Sequence, residues 1–154
     1  MQARSIRCLG LSVVALVGCQ SAPDTASNAC AAETRAETGP LDDVRLGRDH
    51  ALTFEIVDAQ PAVPARGDNV WRVRIASANP TGSIDEPPTL TVVPFMPDHG
   101  HGSSLPAVVT PTAQAGELEV SPVNIWMPGY WETTMTASLG GQTDSVMVKL
   151  CIPN

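Results

Sequence analysis

Two histidines and a methionine lie close together near the middle of the chain, at Met96, His99 and His101, and a glycine follows each histidine. Histidines two residues apart point to the same side of an extended segment, roughly 6.5–7 Å apart along the chain. The glycines permit backbone angles that bring both imidazoles to one ion. Imidazole nitrogen and thioether sulfur are donors that copper accepts without a thiolate. The segment therefore predicts a copper site.

A second Met-Pro step, at Met127, lies between two predicted strands and is the best candidate for a fourth donor. A set of methionines and histidines favours Cu(I), whereas the two histidines together with Asp98 favour Cu(II) or Zn(II). Asp98 is accordingly interpreted as a support for the ligands or as an alternate ligand. The competing interpretation is structural: the methionines fill gaps at one end of the fold, and the histidines are exposed loop residues bonded to local carbonyls.

The elements that must position these residues are strands, because apolar residues recur with a period of two. Alternating or β-branched runs cover seven segments: 52–56, 71–75, 89–92, 106–110, 117–120, 131–137 and 146–150. Segments rich in Pro, Gly, Asn and Asp separate them. The fourteen prolines leave no room for a long helix. We predict an all-β, immunoglobulin-like antiparallel sandwich of about seven strands.

Two segments of the predicted domain resemble a known family. Met-Pro-Asp-His-Gly-His-Gly begins at Met96, and Asn-Ile-Trp-Met-Pro-Gly-Tyr-Trp-Glu begins at Asn124. Both are similar to motifs of the YtkA-like domain, over roughly 51–148. The resemblance implies a small bacterial envelope protein with an immunoglobulin-like sandwich, related to the FixH group and often linked to copper handling. The matching positions are Met96, Pro97, His99, Gly100, Met127, Pro128, Gly129 and Trp131.

The N-terminus has the features of a processing signal. Arg4 and Arg7 precede an apolar stretch, 9–17, that is too short to span a bilayer. Leu-Val-Gly-Cys, ending at Cys19, resembles the lipobox of bacterial lipoproteins, which implies cleavage before Cys19 and lipid on that residue. We expect a signal peptide over 1–18, a lipidated cysteine and flexible tether over 19–48, and the sandwich domain over 49–154.

Cysteine usage and charge agree with an envelope protein. Cys8 belongs to the signal and Cys19 carries lipid, so Cys30 and Cys151 remain as a predicted disulfide in an oxidising compartment. The signal contains two arginines and no acid, so cleavage leaves seven basic residues against sixteen acidic ones, a net charge of −9. Such an acidic chain is not attracted to phosphate backbones. Nucleic-acid binding is therefore not expected.

These observations predict a non-enzymatic lipoprotein that binds copper for metal handling. Asp98, His99 and Ser103 supply an acid, a base and a hydroxyl, but neighbours on one loop seldom converge as a triad, so no catalytic residue is predicted. The expected partners are the membrane, through the lipid anchor, and a metal-handling or envelope protein. The expected location is the outer membrane facing the periplasm, or the cell surface. The alternative is a metal-free interaction module that supports an envelope assembly.

Overall fold

The computed structural model describes residues 30–38, 41–80 and 86–153. The predicted signal peptide and Cys19 lie outside these residues. Across the described ranges no helix is long and apolar enough to span a membrane. The elements there are nine strands: β1 (Arg45–Leu46), β2 (Leu52–Gln60), β3 (Gly67–Ser77), β4 (Thr89–Met96), β5 (His101–Gly102), β6 (Val108–Pro111), β7 (Glu117–Ile125), β8 (Gly129–Leu139) and β9 (Gln142–Ile152).

The strands form two antiparallel sheets, with orders β1-β2-β3-β7-β6 and β5-β4-β8-β9. Without the two-residue strands β1 and β5, the orders become β2-β3-β7-β6 and β4-β8-β9. These are the A-B-E-D and C-F-G orders of an immunoglobulin constant-type sandwich. The predicted fold is confirmed, and the seven predicted runs correspond to the seven longer strands. Strands β1 and β5 were not predicted because two residues are too few to show an alternation.

The alternation seen in the sequence separates the inner faces of the sheets from the outer ones. On β3, Trp71, Val73 and Ile75 are buried, while Arg72 and Arg74 point outward. The other inner faces contribute apolar side chains in the same way: Leu52, Phe54 and Ile56 from β2, Leu118, Val120, Val123 and Ile125 from β7, Leu90, Val92 and Met96 from β4, Trp131, Met135 and Ala137 from β8, and Val148, Leu150 and Ile152 from β9. Burial of each large side chain contributes about 1.5–3 kcal/mol.

Residues 30–38, called the N-terminal arm below, lie along the edge strand β9. The predicted disulfide is present and joins Cys30 to Cys151, with 5.5 Å between the two Cα atoms. Further along, the Glu37 amide donates to the Lys149 carbonyl at 2.9 Å, and the Lys149 amide donates to the Glu37 carboxylate at 3.2 Å. Because β9 is the last strand of its sheet, the arm satisfies backbone groups that would otherwise be exposed at that edge.

The described part of the predicted tether therefore contacts the sandwich. Besides the arm, β1 pairs with β2 through Arg45 opposite Phe54, so the sheet begins before residue 49. The polar composition of the tether predicted a solvated segment. Composition does not show that one disulfide and a few backbone hydrogen bonds are sufficient to hold a polar segment against a sheet edge.

A buried carboxylate holds the turn that leads into β2. Asp144 is 2% exposed. Its Oδ1 accepts from the amides of Asp49 and Ser145, and its Oδ2 accepts from those of Ala51 and Leu52, at 2.8–3.1 Å. Burial on its own would raise the pKa of Asp144, but these four donors outweigh it and lower the pKa to about 2. The carboxylate is therefore an anionic cap on four backbone amides.

Candidate metal site at the loop end of the sandwich

The turn between β4 and β5 brings the two sequence-predicted histidines together. Met96 ends β4 and pairs with His101 at the start of β5. Within the turn, the amides of His99 and Gly100 both donate to the Met96 carbonyl, at 3.2 and 2.9 Å. Gly100 has a φ of 68°, a left-handed conformation that glycine adopts without strain. The turn is therefore tight, and both imidazoles project from one end of the sandwich. This end, where the β4–β5 and β7–β8 turns lie, is called the loop end below.

The two imidazole rings are close enough to share an ion. The ring centroids of His99 and His101 are 5.7 Å apart, with an angle of 70° between the planes. When each ring nitrogen lies about 2.0–2.1 Å from one ion, the centroids are roughly 5 to 6.5 Å apart, depending on the angle at the ion. The ring of His99 is exposed and that of His101 is half-buried. The spacing is therefore compatible with a shared ion, and His101 is the less exposed of the two rings.

The hydrogen bond of His101 determines which of its nitrogens is free. Its Nδ1 lies 3.1 Å from the Gly102 carbonyl oxygen. A carbonyl only accepts, so Nδ1 carries the proton, and in the neutral ring Nε2 keeps its lone pair. Histidines that bind metals commonly donate their other ring nitrogen to a backbone carbonyl, which fixes both tautomer and orientation. Nε2 is therefore the nitrogen through which His101 could bind an ion.

The turn between β7 and β8 meets the histidine turn directly. Trp126 stacks on His101 with the ring centroids 5.0 Å apart and 26° between the planes. Trp131 approaches the same imidazole edge-on at 6.1 Å. The Trp126 carbonyl accepts from Arg66 Nε at 3.0 Å, which holds the turn in place. Two aromatic rings therefore constrain the orientation of the half-buried His101.

The two predicted thioether ligands, Met96 and Met127, both pack against the core. Met96 is 2% exposed and belongs to the core. Cross-strand partners point to the same face of a sheet, so the side chain of Met96 is on the His101 side. Met127 is half-buried and packs against the core, and its carbonyl accepts from Trp131 Nε1 at 2.9 Å. Both methionines thus contribute to packing at this end.

Gly129 explains why the Met-Pro-Gly turn can approach Met96 so closely. Its φ is 120°, and a Cβ built on it would lie 2.7 Å from the Met96 Cε. A side chain at this position would therefore be strained and would also displace the methionine. The close approach joins the two segments that carry the family resemblance.

Asp98 is held by an arginine to which no sequence pattern assigns a role. Arg35 of the N-terminal arm donates to both carboxylate oxygens of Asp98, at 2.7 Å each. This bidentate bond lowers the pKa of Asp98 below its usual value. Arg35 is 63 residues away in a segment with the composition of a tether. No periodicity or motif could have identified the pair.

The candidate site therefore consists of two imidazoles, and the thioethers of Met96 and Met127 are the other predicted donors. Among the described residues, no group of three or more His, Cys, Asp and Glu side chains is arranged to hold a metal ion. Comparisons of the chain with protein-family models, curated proteins and solved structures find no match. Membership of the YtkA-like family stays a prediction that rests on the two motif segments.

Proposed function

We propose that this protein binds one copper ion at the loop end of its sandwich and serves to buffer, deliver or sense copper without catalysing a reaction. The observation that supports this most is the imidazole pair, 5.7 Å between centroids, with His101 Nδ1 bonded to a carbonyl. A fixed tautomer and a second ring at that distance suit a shared ion.

The ligand roles follow from the chemistry of the donors. His99 and His101 would supply nitrogen, and Met96 and Met127 would supply sulfur. Thioether and imidazole together suit Cu(I) better than the harder divalent ions. Asp98 would support the site from its bond with Arg35. Copper would be cargo here, so the contribution of the protein is affinity and selectivity.

The test is a Cu(I) titration against a competing chelator, using the chain from residue 20 onward, which contains every described strand and the disulfide. Trp126 and Trp131 lie against His101, so their fluorescence reports binding. Replacing His99 and His101 together with Ala should lower the affinity by about 100-fold or more, because both nitrogens are lost. Equal affinities in the two proteins would refute the proposal.

His50 provides the matched control. It is exposed on the turn before β2 and has a φ of 59°, a conformation that Asn tolerates better than most residues. His50→Asn removes one imidazole without disturbing the turn. Its Cu(I) affinity should equal that of the unmodified protein.

The proposal includes attachment to the cell envelope through lipid on Cys19. The Cys30–Cys151 disulfide supports an oxidising compartment. Several acyl chains would give a stable anchor where one would be reversible. Cys19→Ser should abolish the incorporation of labelled fatty acid into the protein, because the acyl chains would be attached to that residue. A variant that still incorporates the label would show that Cys19 is not the lipidated residue.

A second candidate function is a metal-free interaction module, favoured by the outer face of the β4-β8-β9 sheet. Val93 and Met147 both lie opposite Thr134 in the register and are exposed, as is the nearby Phe95. Such apolar groups on a surface can mark a contact with another protein. A partner that is retained after chelation, together with a purified protein free of metal, would favour this function over copper binding.

A further inference from the structure

The guanidinium of Arg35 is held from three directions at the edge of the proposed site. It donates to both oxygens of Asp98 at 2.7 Å. It also donates to both oxygens of Glu33, at 2.9 and 2.6 Å. Its Cζ lies 4.1 Å from the centroid of the Tyr130 ring, a cation–π contact. Single exposed ion pairs are weak, but two bidentate pairs on one stacked guanidinium form a network.

The backbone that carries Arg35 is fixed as well. Five residues before it, Cys30 is bonded to Cys151, and Cys151 pairs with Tyr130 in the β8–β9 ladder. Two residues after it, the arm is bonded to Lys149. The arm therefore delivers the guanidinium to the loop end of the sandwich, over the Tyr130 ring.

Asp98 directly precedes His99 in the sequence, so its carboxylate is on the same turn as the imidazole pair. Carboxylate oxygen is a good ligand for Zn(II) and adds little for Cu(I), which prefers nitrogen and sulfur donors. While Arg35 occupies both oxygens, Asp98 must break two charge-assisted hydrogen bonds before it can bind an ion. Arg35 also adds a positive charge beside Asp98, which disfavours a divalent ion at that carboxylate.

We propose that Arg35 is a specificity-determining residue: by holding Asp98, it withholds the oxygen ligand and makes the site selective for Cu(I) over Zn(II). This inference rests on the proposed copper site and adds the residue that sets its preference. It assigns a role to the N-terminal arm, whose disulfide and backbone bonds keep the guanidinium in place.

The experiment compares Cu(I) and Zn(II) affinities, each by chelator competition at about 0.15 M salt, in the unmodified chain from residue 20 onward and in Arg35→Gln. Release of Asp98 should raise the Zn(II) affinity by about fivefold or more and change the Cu(I) affinity by less than about twofold. Arg72→Gln is the control, because Arg72 makes an exposed pair with Asp58 on another strand. It should leave both affinities unchanged.

Loss of a positive charge favours any cation whether or not Asp98 is present, whereas release of a ligand requires Asp98. The gain in Zn(II) affinity must therefore disappear when Arg35→Gln is combined with Asp98→Asn. An unchanged Zn(II) affinity, an equal gain for both ions, or a gain that persists with Asp98→Asn would overturn the inference. Should Arg35→Gln not fold, Arg35→Lys is measured instead. It keeps the charge but loses the bidentate bond, so the Zn(II) affinity should still rise relative to the Cu(I) affinity, and an unchanged ratio would overturn the inference.

The two proposals fail in different ways. The copper site fails if Cu(I) affinity survives the loss of both histidines. The role of Arg35 fails if the ratio of Zn(II) to Cu(I) affinity is the same with and without the arginine. Both affinities are measured with the protein and the metal ions alone, so the ratio does not depend on knowing the physiological partner.

Discussion

Replacing Asp144 with Asn should destabilise the fold strongly, although the two side chains have the same shape. The carboxylate accepts two backbone amides on each oxygen, and those of Ala51 and Leu52 share Oδ2. Asparagine retains one acceptor oxygen and places an NH₂ group against the other pair. Rotating the asparagine side-chain amide by 180° exchanges which pair of backbone amides faces the NH₂ group, but one pair always does. Two donors therefore lose their acceptor in either orientation.

The size of the effect follows from these two donors. An unsatisfied buried donor costs about 1–3 kcal/mol. Because Leu52 is fully buried, the asparagine oxygen should face the amides of Leu52 and Ala51, which leaves those of Asp49 and Ser145 without an acceptor; Asp49 is exposed and can recruit water. We expect the free energy of unfolding to fall by about 2–4 kcal/mol at pH 7, out of a typical 5–15 kcal/mol for a domain. Asp58→Asn is the control, since Asp58 makes only an exposed pair at 3.3 Å, and it should cost less than about 1 kcal/mol.

The effect should also depend on pH in a defined direction. The folded pKa of Asp144 is about 2, below the value of about 3.9 expected in the unfolded chain. Its stabilisation is therefore complete above about pH 4 and is lost as the pH falls towards 2. Allowing for screening by nearby solvent, the difference between the two proteins should shrink by about 1–2 kcal/mol over that interval.

Urea unfolding followed by tryptophan fluorescence measures both quantities, because Trp71 and Trp131 are fully buried. The titrations are run without reductant at pH 7, 5, 3 and 2. A deficit below about 0.5 kcal/mol at pH 7 would show that the amides of the turn do not need the carboxylate. A deficit that stays constant down to pH 2 would contradict the assignment of the lowered pKa to these hydrogen bonds.

Three further predictions concern the disulfide, the turn at Gly129 and the pH dependence of copper binding. Reducing Cys30–Cys151, which spans 121 residues, should lower the free energy of unfolding by about 2–5 kcal/mol; an unchanged urea midpoint would contradict this. Gly129→Ala should cost about 1–3 kcal/mol more than Gly141→Ala, because both have positive φ but only Gly129 faces Met96; equal losses in urea unfolding would exclude the clash. Cu(I) affinity should fall below about pH 6, because protons compete for imidazole; chelator competition at pH 5 and 7 gives the result, and an affinity independent of pH would exclude imidazole ligands.

Much of the fold could be predicted because burial leaves a local signature. In a strand, residues two apart share a face, so the alternation of Trp71, Val73 and Ile75 with two arginines indicates both the strand and its inner face. The disulfide was predictable for a different reason. Because Cys8 was predicted to lie in a signal and Cys19 to carry lipid, only Cys30 and Cys151 were left to pair.

The contacts that shape the candidate site could not be read in the same way. The stack of His101 on Trp126 and the pairing of Arg35 with Asp98 join residues 25 and 63 positions apart. Which residues meet over such separations depends on strand order and on the register between strands. A one-residue change in register would turn a side chain to the opposite face.

By itself, the sequence therefore determined the strands, their inner faces and the pair of histidines that could bind an ion. Only the tertiary structure decided what surrounds that pair: an aromatic ring against one imidazole and an arginine on the adjacent carboxylate. The reason is physical. Periodicity reports how each segment partitions between core and water, whereas a site depends on side chains from distant segments, and only the packed sheets bring those segments together.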